Sequence, residues 1–224
     1  MTNYVTMRTR IADEMVDEAI TTSHINNAIQ SAIKYYERTE FYFNQTSGTF
    51  NTVSGQEWYG VADFAAIPNF VKIKSLTAVY GGINTPIPAA DYQELDEVQT
   101  GQIIGFPNAY AYYKQSIRFF PIPNGAFPVT VSYVTRFATL SADSDTNAWM
   151  TDAEELIRNA AKLRLAVDVI KDDEDAQRCS ARAQDILEVL QAETGRRIKQ
   201  PVLRPGVPTN RASSNMARGY IRVY

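Results

Sequence analysis

Apolar residues repeat at helical spacing near both ends of this chain and at strand spacing between them. That confines the fold to helices drawn from two distant segments around a β-rich middle. In the last third, Leu156, Ala160, Leu163, Val167 and Ile170 follow at offsets of 4, 3, 4 and 3, one continuous helical stripe. Thr151 and Glu154 read as a capping box just ahead of it. Lys171-Asp172-Asp173 breaks the stripe. A second helix follows with Ala176, Cys179, Ala183, Ile186 and Leu190, ending at Gly195 as the residue after the helix. So short a turn makes an αα-hairpin. Its seam needs a partner, which the segment His24–Arg38 supplies with Ile25, Ala28, Ile29, Ala32, Ile33 and Tyr36, behind an N-cap at Thr22 or Ser23. A shorter helix capped by Thr9 carries Ile11, Met15 and Val16.

From Phe41 to about Leu140 the chain holds seven of its ten prolines. Alternating runs at Thr49–Val53, Phe70–Tyr80, Tyr110–Lys114, Gln115–Phe120 and Pro128–Val134 are separated by turn signals at Gly48, Gly55, Gly81-Gly82, Gly101, Pro107-Asn108 and Pro121–Gly125. Such spacing predicts an antiparallel sheet folded as a sandwich or barrel, with a brief helix over Ala90–Gln99. The expected class is α+β. A helical domain formed by residues 1–40 and 141–195 carries the β-rich domain, 41–140, as an insertion, and an extended arm covers 196–224.

The arm is set apart by charge. Arg196, Arg197, Lys199, Arg204, Arg211, Arg218 and Arg222 face no Asp or Glu there, so it carries +7. Residues 1–195 hold 15 Lys and Arg against 25 Asp and Glu (−10), and the two add to the chain's net −3. Pro201, Pro205 and Pro208 exclude a helix interior or central strand. A segment so polar does not bury enough apolar surface to order itself. Its end, Gly219-Tyr220-Ile221-Arg222-Val223-Tyr224, alternates aromatic and β-branched residues, which points to a partner. Nucleic acid, an acidic protein surface or the acidic body of a neighbouring copy all fit a basic arm. Fully extended, residues 201–224 reach about 80 Å.

Composition excludes several classes. At 224 residues the chain builds one large domain or two small ones. An acidic body is no nucleic-acid binder as a whole. Cys179, the single cysteine, permits no internal disulfide and reads as a small core residue. No apolar run suits a membrane span, and no signal peptide is expected. A protein working in solution and made in a cytoplasm follows.

Catalytic motifs are scarce. His24 is the only histidine, which leaves Ser-His-Asp, Cys-His-Asn and multi-histidine metal sites incomplete; near a helix start it reads as a polar or capping group. Gly81-Gly82 lacks a following lysine and reads as a hairpin turn, not a phosphate loop. Asp143, Asp145 and Glu154 resemble calcium-loop positions, but Ala148 stands where that loop needs glycine, so Asx-turn and capping roles are expected. Phe106, Tyr110, Tyr112, Tyr113, Phe119 and Phe120 suit either a sugar-stacking platform or, at period 2, the packing of sheet faces. Glu154-Glu155 and Asp172-Asp173 favour helix N-termini. No enzyme, cofactor or metal is expected.

A family resemblance rests on several segments. They are Gly105-Phe-Pro-Asn-Ala-Tyr110, Ile117-Arg-Phe-Phe-Pro121-Ile-Pro123, Val129-Thr-Val-Ser-Tyr133, Leu140-Ser-Ala-Asp-Ser-Asp-Thr-Asn147-Ala-Trp149-Met and Asp172-Asp-Glu-Asp-Ala176, with Phe50-Asn-Thr-Val-Ser-Gly-Gln56 upstream. Over roughly residues 10–195 the chain resembles the head-to-tail adaptor (connector) proteins of tailed bacteriophages, particularly short-tailed ones. The resemblance implies a non-enzymatic virion part at the head–tail interface, assembled in the host cytoplasm as a dodecameric ring. It implies a portal protein on one side, a tail nozzle or tail fibres on the other, and DNA passing without sequence-specific binding. By this analogy the arm docks the portal through Arg204, Arg211, Arg218, Tyr220, Ile221, Arg222 and Tyr224. An acidic body suits a channel that passes DNA without trapping it. The alternative is a non-enzymatic module whose β-domain binds a carbohydrate or receptor.

Overall fold

The computed structural model describes residues 2–98 and 102–198. The expectations on Gln99, Gly101 and the arm residues from Lys199 to Tyr224, including Arg204, Arg211, Arg218, Tyr220, Ile221, Arg222 and Tyr224, lie outside the described residues. The fold is mixed α and β with largely antiparallel sheets.

Helix α1 (Tyr4–Glu14) starts earlier than expected. Asn3 caps it by accepting the Thr6 N–H at 2.9 Å, while Thr9 lies inside the helix and donates its hydroxyl to the Val5 carbonyl. Val16 is correspondingly left outside, 91% exposed. Helix α2 (Thr22–Tyr36) is capped by Thr21, one residue upstream of the expected choices. His24 closes that box: its N–H donates to Thr21 Oγ1, and its Nδ1 accepts the Thr21 N–H. The histidine is a cap, as its position suggested.

The capping box expected at Thr151 does not form. Asn147 caps a preceding short helix, α4 (Ala148–Thr151), by accepting the Trp149 N–H at 3.1 Å. Turning there buries Trp149 and Met150. Thr151 closes that turn, and α5 (Glu154–Leu165) starts from Ala153 with no side-chain cap. Leu156 and Ala160 of the expected stripe are buried, Leu163 and Ile170 half-buried, and Val167 is 53% exposed. Val167 stays on the face of Ala160 and Leu163, which opens on a groove instead of closing against a partner, and Ala166–Ile170 continues the helix as a π-helical turn. Lys171, at φ 62°, ends it, and the Asp172 carboxylate accepts the Glu174 and Asp175 N–H groups to open α6 (Asp173–Ile198). Helices α2 and α6 both pack on α5. Their shared core includes Met7, Ile11, Ile29, Phe41, Trp149, Leu156 and Ile157, so it draws on both ends of the chain.

In the middle, β1 (Gln45–Asn51), β9 (Pro128–Thr135), β3 (Phe70–Tyr80) and β4 (Ile83–Ile87) form a four-stranded sheet in that order. A second sheet orders β2 (Trp58–Tyr59), β7 (Ser116–Phe120) and β6 (Ala109–Tyr113), and β5 (Ile104–Gly105) pairs in parallel with β8 (Ile122–Pro123). The brief helix is α3 (Tyr92–Val98). Gly81-Gly82 makes the β3–β4 hairpin with φ of 56° and 81°. Gly48 is no turn: it lies inside β1, where Phe64 covers it so closely that an added Cβ would sit 2.5 Å from the ring. β4 escapes the sequence pattern because it is an edge strand that accommodates Pro86 and buries only Ile87. Phe50, Tyr59, Phe70, Ile117, Phe119, Val129, Val131 and Tyr133 form the β core.

Candidate interaction surfaces

The root of the arm is fixed by α6. The helix runs through Gly195, which the sequence suggested as its stop, and carries Arg196 and Arg197 in its last turn. Nothing packs within 4 Å of the Cβ position at Gly195. A mid-helix glycine costs only about 1 kcal/mol, and cations favour a helix C-terminus. Arg197 also pairs with Glu193 at 2.5 Å and lies 3.8 Å over the ring of Tyr42. The Tyr42 backbone N–H donates to Thr194 Oγ1 at 3.2 Å, and its hydroxyl donates to Asp152 at 2.9 Å. Burial, then the Asp152 hydrogen bond, pushes that hydroxyl up to about 12. The end of α6 is therefore anchored beside the start of β1.

Beside the three-stranded sheet, Arg118 lies against two neighbouring rings, 5.2 Å from the Trp58 centroid and 5.4 Å from that of Tyr92, which are 6.0 Å apart. It pairs with Glu57 and, at 3.0 Å, with Asp96. Tyr92 stacks on Tyr113 at 4.4 Å and 13°. The aromatic run splits accordingly. Tyr110 and Phe119 enter the core, Phe106 and Phe120 are half-buried, and Tyr112 and Tyr113 face outward. Exposed Trp58 and half-buried Tyr92 complete the ladder over the buried Arg118. Neither was foreseen, because both reach it through pairings across tens of residues, such as Trp58 opposite Arg118.

A second exposed apolar surface caps the β3–β4 hairpin. Tyr80 is 58% and Ile83 70% exposed, and the Tyr80 ring rests on Phe106 at 4.7 Å. Ile103 and Ile104 are exposed as well.

Two grooves flank α6, one on each side. Between the end of α1, α5 and α6 lies a charged cavity of about 350 Å³ lined by Glu14, Arg158, Lys162, Asp175, Arg178 and Cys179. Glu14 bridges Arg158 at 3.2 Å and Lys162 at 2.6 Å. Cys179 is half-buried in this polar setting, not a core thiol, because the start of α6 meets charged side chains there. Between α2, α5 and α6 lies an apolar groove of about 410 Å³.

The carboxylates that hinted at calcium are otherwise engaged. Asp143 pairs with Arg8, Glu154 with Arg10 and Arg158, and Asp145 accepts the Ser141 and Ala142 N–H groups. Among the described residues, no helix is long and apolar enough to cross a membrane.

The family model described as SU10 adaptor protein matches residues 2–206. The match includes Arg204 and stops short of Arg211, Arg218, Tyr220, Ile221, Arg222 and Tyr224. Among curated proteins none matches the chain.

Proposed function

We propose, because the chain belongs to the SU10 adaptor protein family of phage head–tail adaptors, that it is the subunit of a ring joining the portal to the tail and lining the DNA channel. The family match over residues 2–206 carries this reading. The charge of the body, −10 over residues 1–195, supports it: phosphate contacts add affinity and friction, and a repelling wall adds neither. In this reading the helical part (1–40 and 141–195) is the mount, the β-rich part (41–140) is inserted in it, and the arm departs beyond α6 to dock the portal. The exposed Tyr80–Ile83 hairpin suits contact with the tail-side component.

Exposed ion pairs are individually weak, so Tyr220, Ile221 and Tyr224 supply most of the arm's docking affinity, and Arg204, Arg211, Arg218 and Arg222 supply orientation. Co-sedimentation with portal rings tests this. Deletion of residues 201–224 leaves a folded body that no longer joins the portal. A Tyr220→Ala, Tyr224→Ala double variant weakens joining more than any single Arg→Ala. Full occupancy by the truncated protein removes the arm from the docking role.

One observation favours a second reading, a β-domain that binds a carbohydrate or receptor: exposed Trp58 and Tyr113 flank half-buried Tyr92 over the buried Arg118. A monomeric protein retained on immobilised glycans, with binding lost in Trp58→Ala, selects it over the ring.

A further inference from the structure

The groove between α2, α5 and α6 is open and apolar at its floor. Ala32, Ala160, Leu163 and Val167 line it, with Tyr35 on its wall. Tyr35 is 66% and Val167 53% exposed, so two large apolar groups face water along it. Its border is basic. Lys34, Arg38 and Arg164 line the adjoining cleft with Tyr35, and none of them takes part in an ion pair among the described residues. Asp168 is the one acidic residue on the groove.

The loop after α1 has the opposite character. Val16 is the most exposed large apolar residue described, at 91%. Asp13, Asp17 and Glu18 surround it, all exposed and outside every ion pair among the described residues. The loop is held in shape: the Asp17 carboxylate accepts the Ala19 N–H at 2.7 Å and its carbonyl accepts the Ile20 N–H.

We propose that this groove receives a second copy of the chain, which inserts its 15–20 loop with Val16 on the floor and Asp13, Asp17 and Glu18 against Lys34, Arg38 and Arg164. The inference rests on the ring reading and names the surfaces that build the ring. Charge selects the occupant. The arm, at +7, is repelled by the basic border, whereas the loop is attracted to it. A subunit does not fill its own groove. Glu14, at the root of the loop, is held by Arg158 and Lys162, and the groove is lined by Ala160, Leu163 and Arg164. At about 100° per residue these two sets lie on roughly opposite faces of α5. The contact is therefore head-to-tail: each copy offers the loop on one side and the groove on the other, the arrangement that generates a closed ring when the rotation allows.

Disulfide trapping tests it in the full chain with Cys179→Ser as background. Mild oxidation of the Val16→Cys, Val167→Cys double variant gives a ladder of cross-linked species up to the ring. An equal mixture of the two single variants gives dimers and nothing larger, and neither single variant cross-links alone. A Lys34→Glu, Arg38→Glu variant lowers assembly at least tenfold in sedimentation, and adding Asp17→Lys, Glu18→Lys on the same chain restores it. Rings that form in electron micrographs without these cross-links, or that ignore the charge reversal, overturn this contact and leave the ring reading standing. Cross-linking of Val16→Cys to itself overturns the head-to-tail order. A chain that stays monomeric both alone and with portal overturns the ring reading and this contact together.

Discussion

The helical core and the β core are built from different chemistry. The helical core is mainly aliphatic around one indole, Trp149, whose centroid lies 5.8 Å from Phe41 and 5.1 Å from Phe43. The β core is a mesh of rings: Phe70 lies 4.1 Å from Tyr133, Tyr59 5.3 Å from Phe119 and Phe64 5.6 Å from Phe50. Helices pack by long aliphatic ridges that leave grooves between them, and here charged residues line one groove and border the other. Two small sheets with short strands instead need large side chains to fill the space between them. The helical layer therefore presents charged clefts suited to choosing partners. The β part presents apolar tips, at Tyr80, Ile83 and Ile104, suited to being covered.

The largest effect separates the two cores at the indole. Trp149 is 1% exposed, and Trp149→Ala is expected to cost about 3–5 kcal/mol. Urea denaturation followed by far-ultraviolet circular dichroism reads it. A loss below about 1 kcal/mol would mean that Trp149 does not bind the two chain ends into one core.

Within α5, Leu156→Ala and Leu163→Ala sharpen the same picture. Leu156 is fully buried and its truncation should cost about 3–5 kcal/mol. Leu163 faces the open α2–α6 groove and should cost less than half as much, since part of its surface is already wet. Equal costs would place the groove inside the core.

In the β part, Gly48→Ala tests whether the ring mesh yields. The new methyl meets Phe64 at 2.5 Å, and Phe64 is itself held against Phe50, Phe70 and Tyr133. Overpacking of this kind costs about 1–3 kcal/mol. Adding Phe64→Leu on the same chain should recover part of it. No recovery would show that strain at β1, and not the ring, sets the cost.

How much of this was legible in the sequence follows from how local each determinant is. Ile25, Ile29, Ala32 and Ile33 announce α2 through spacing alone, and Phe70–Tyr80 announces β3 with the bounds observed. The observed caps are Asn3, Thr21 and Asn147 and not the expected Thr9, Thr22 or Ser23, and Thr151, because several polar residues near each start compete, and at α4 the burial of Trp149 decides among them. Val167 keeps the face of Ala160 and Leu163 but stays exposed because that face opens on a groove, which apolar spacing does not encode. Among the candidate surfaces, the arm stands out by charge alone. The ladder on Arg118 and the groove beside Tyr35 stay hidden, because each unites residues that only pairing and packing bring together.

The smallest effect tests the link between the parts, the loop of residues 141–147 that follows the β part and holds the start of α1. The Tyr4 and Val5 N–H groups donate to the Asp145 and Asp143 carbonyls at 2.9 and 3.1 Å. Asp145 shapes this loop by accepting the Ser141 and Ala142 N–H groups at 2.7 and 2.8 Å, and these hydrogen bonds hold its carboxyl below the usual carboxylate range. A carboxyl with a depressed pKa in the folded state stabilises above its unfolded value, about 3.9, and that contribution disappears as the pH falls through the folded value. Asp145→Asn keeps an accepting oxygen and loses the charge. The variant should melt slightly below wild type at pH 7, and the two melting temperatures should converge as the pH falls below about 3.9 and through the lowered folded value. A gap that persists unchanged at pH 2 would assign the loss to geometry instead of charge, and the loop would then hold α1 by shape alone.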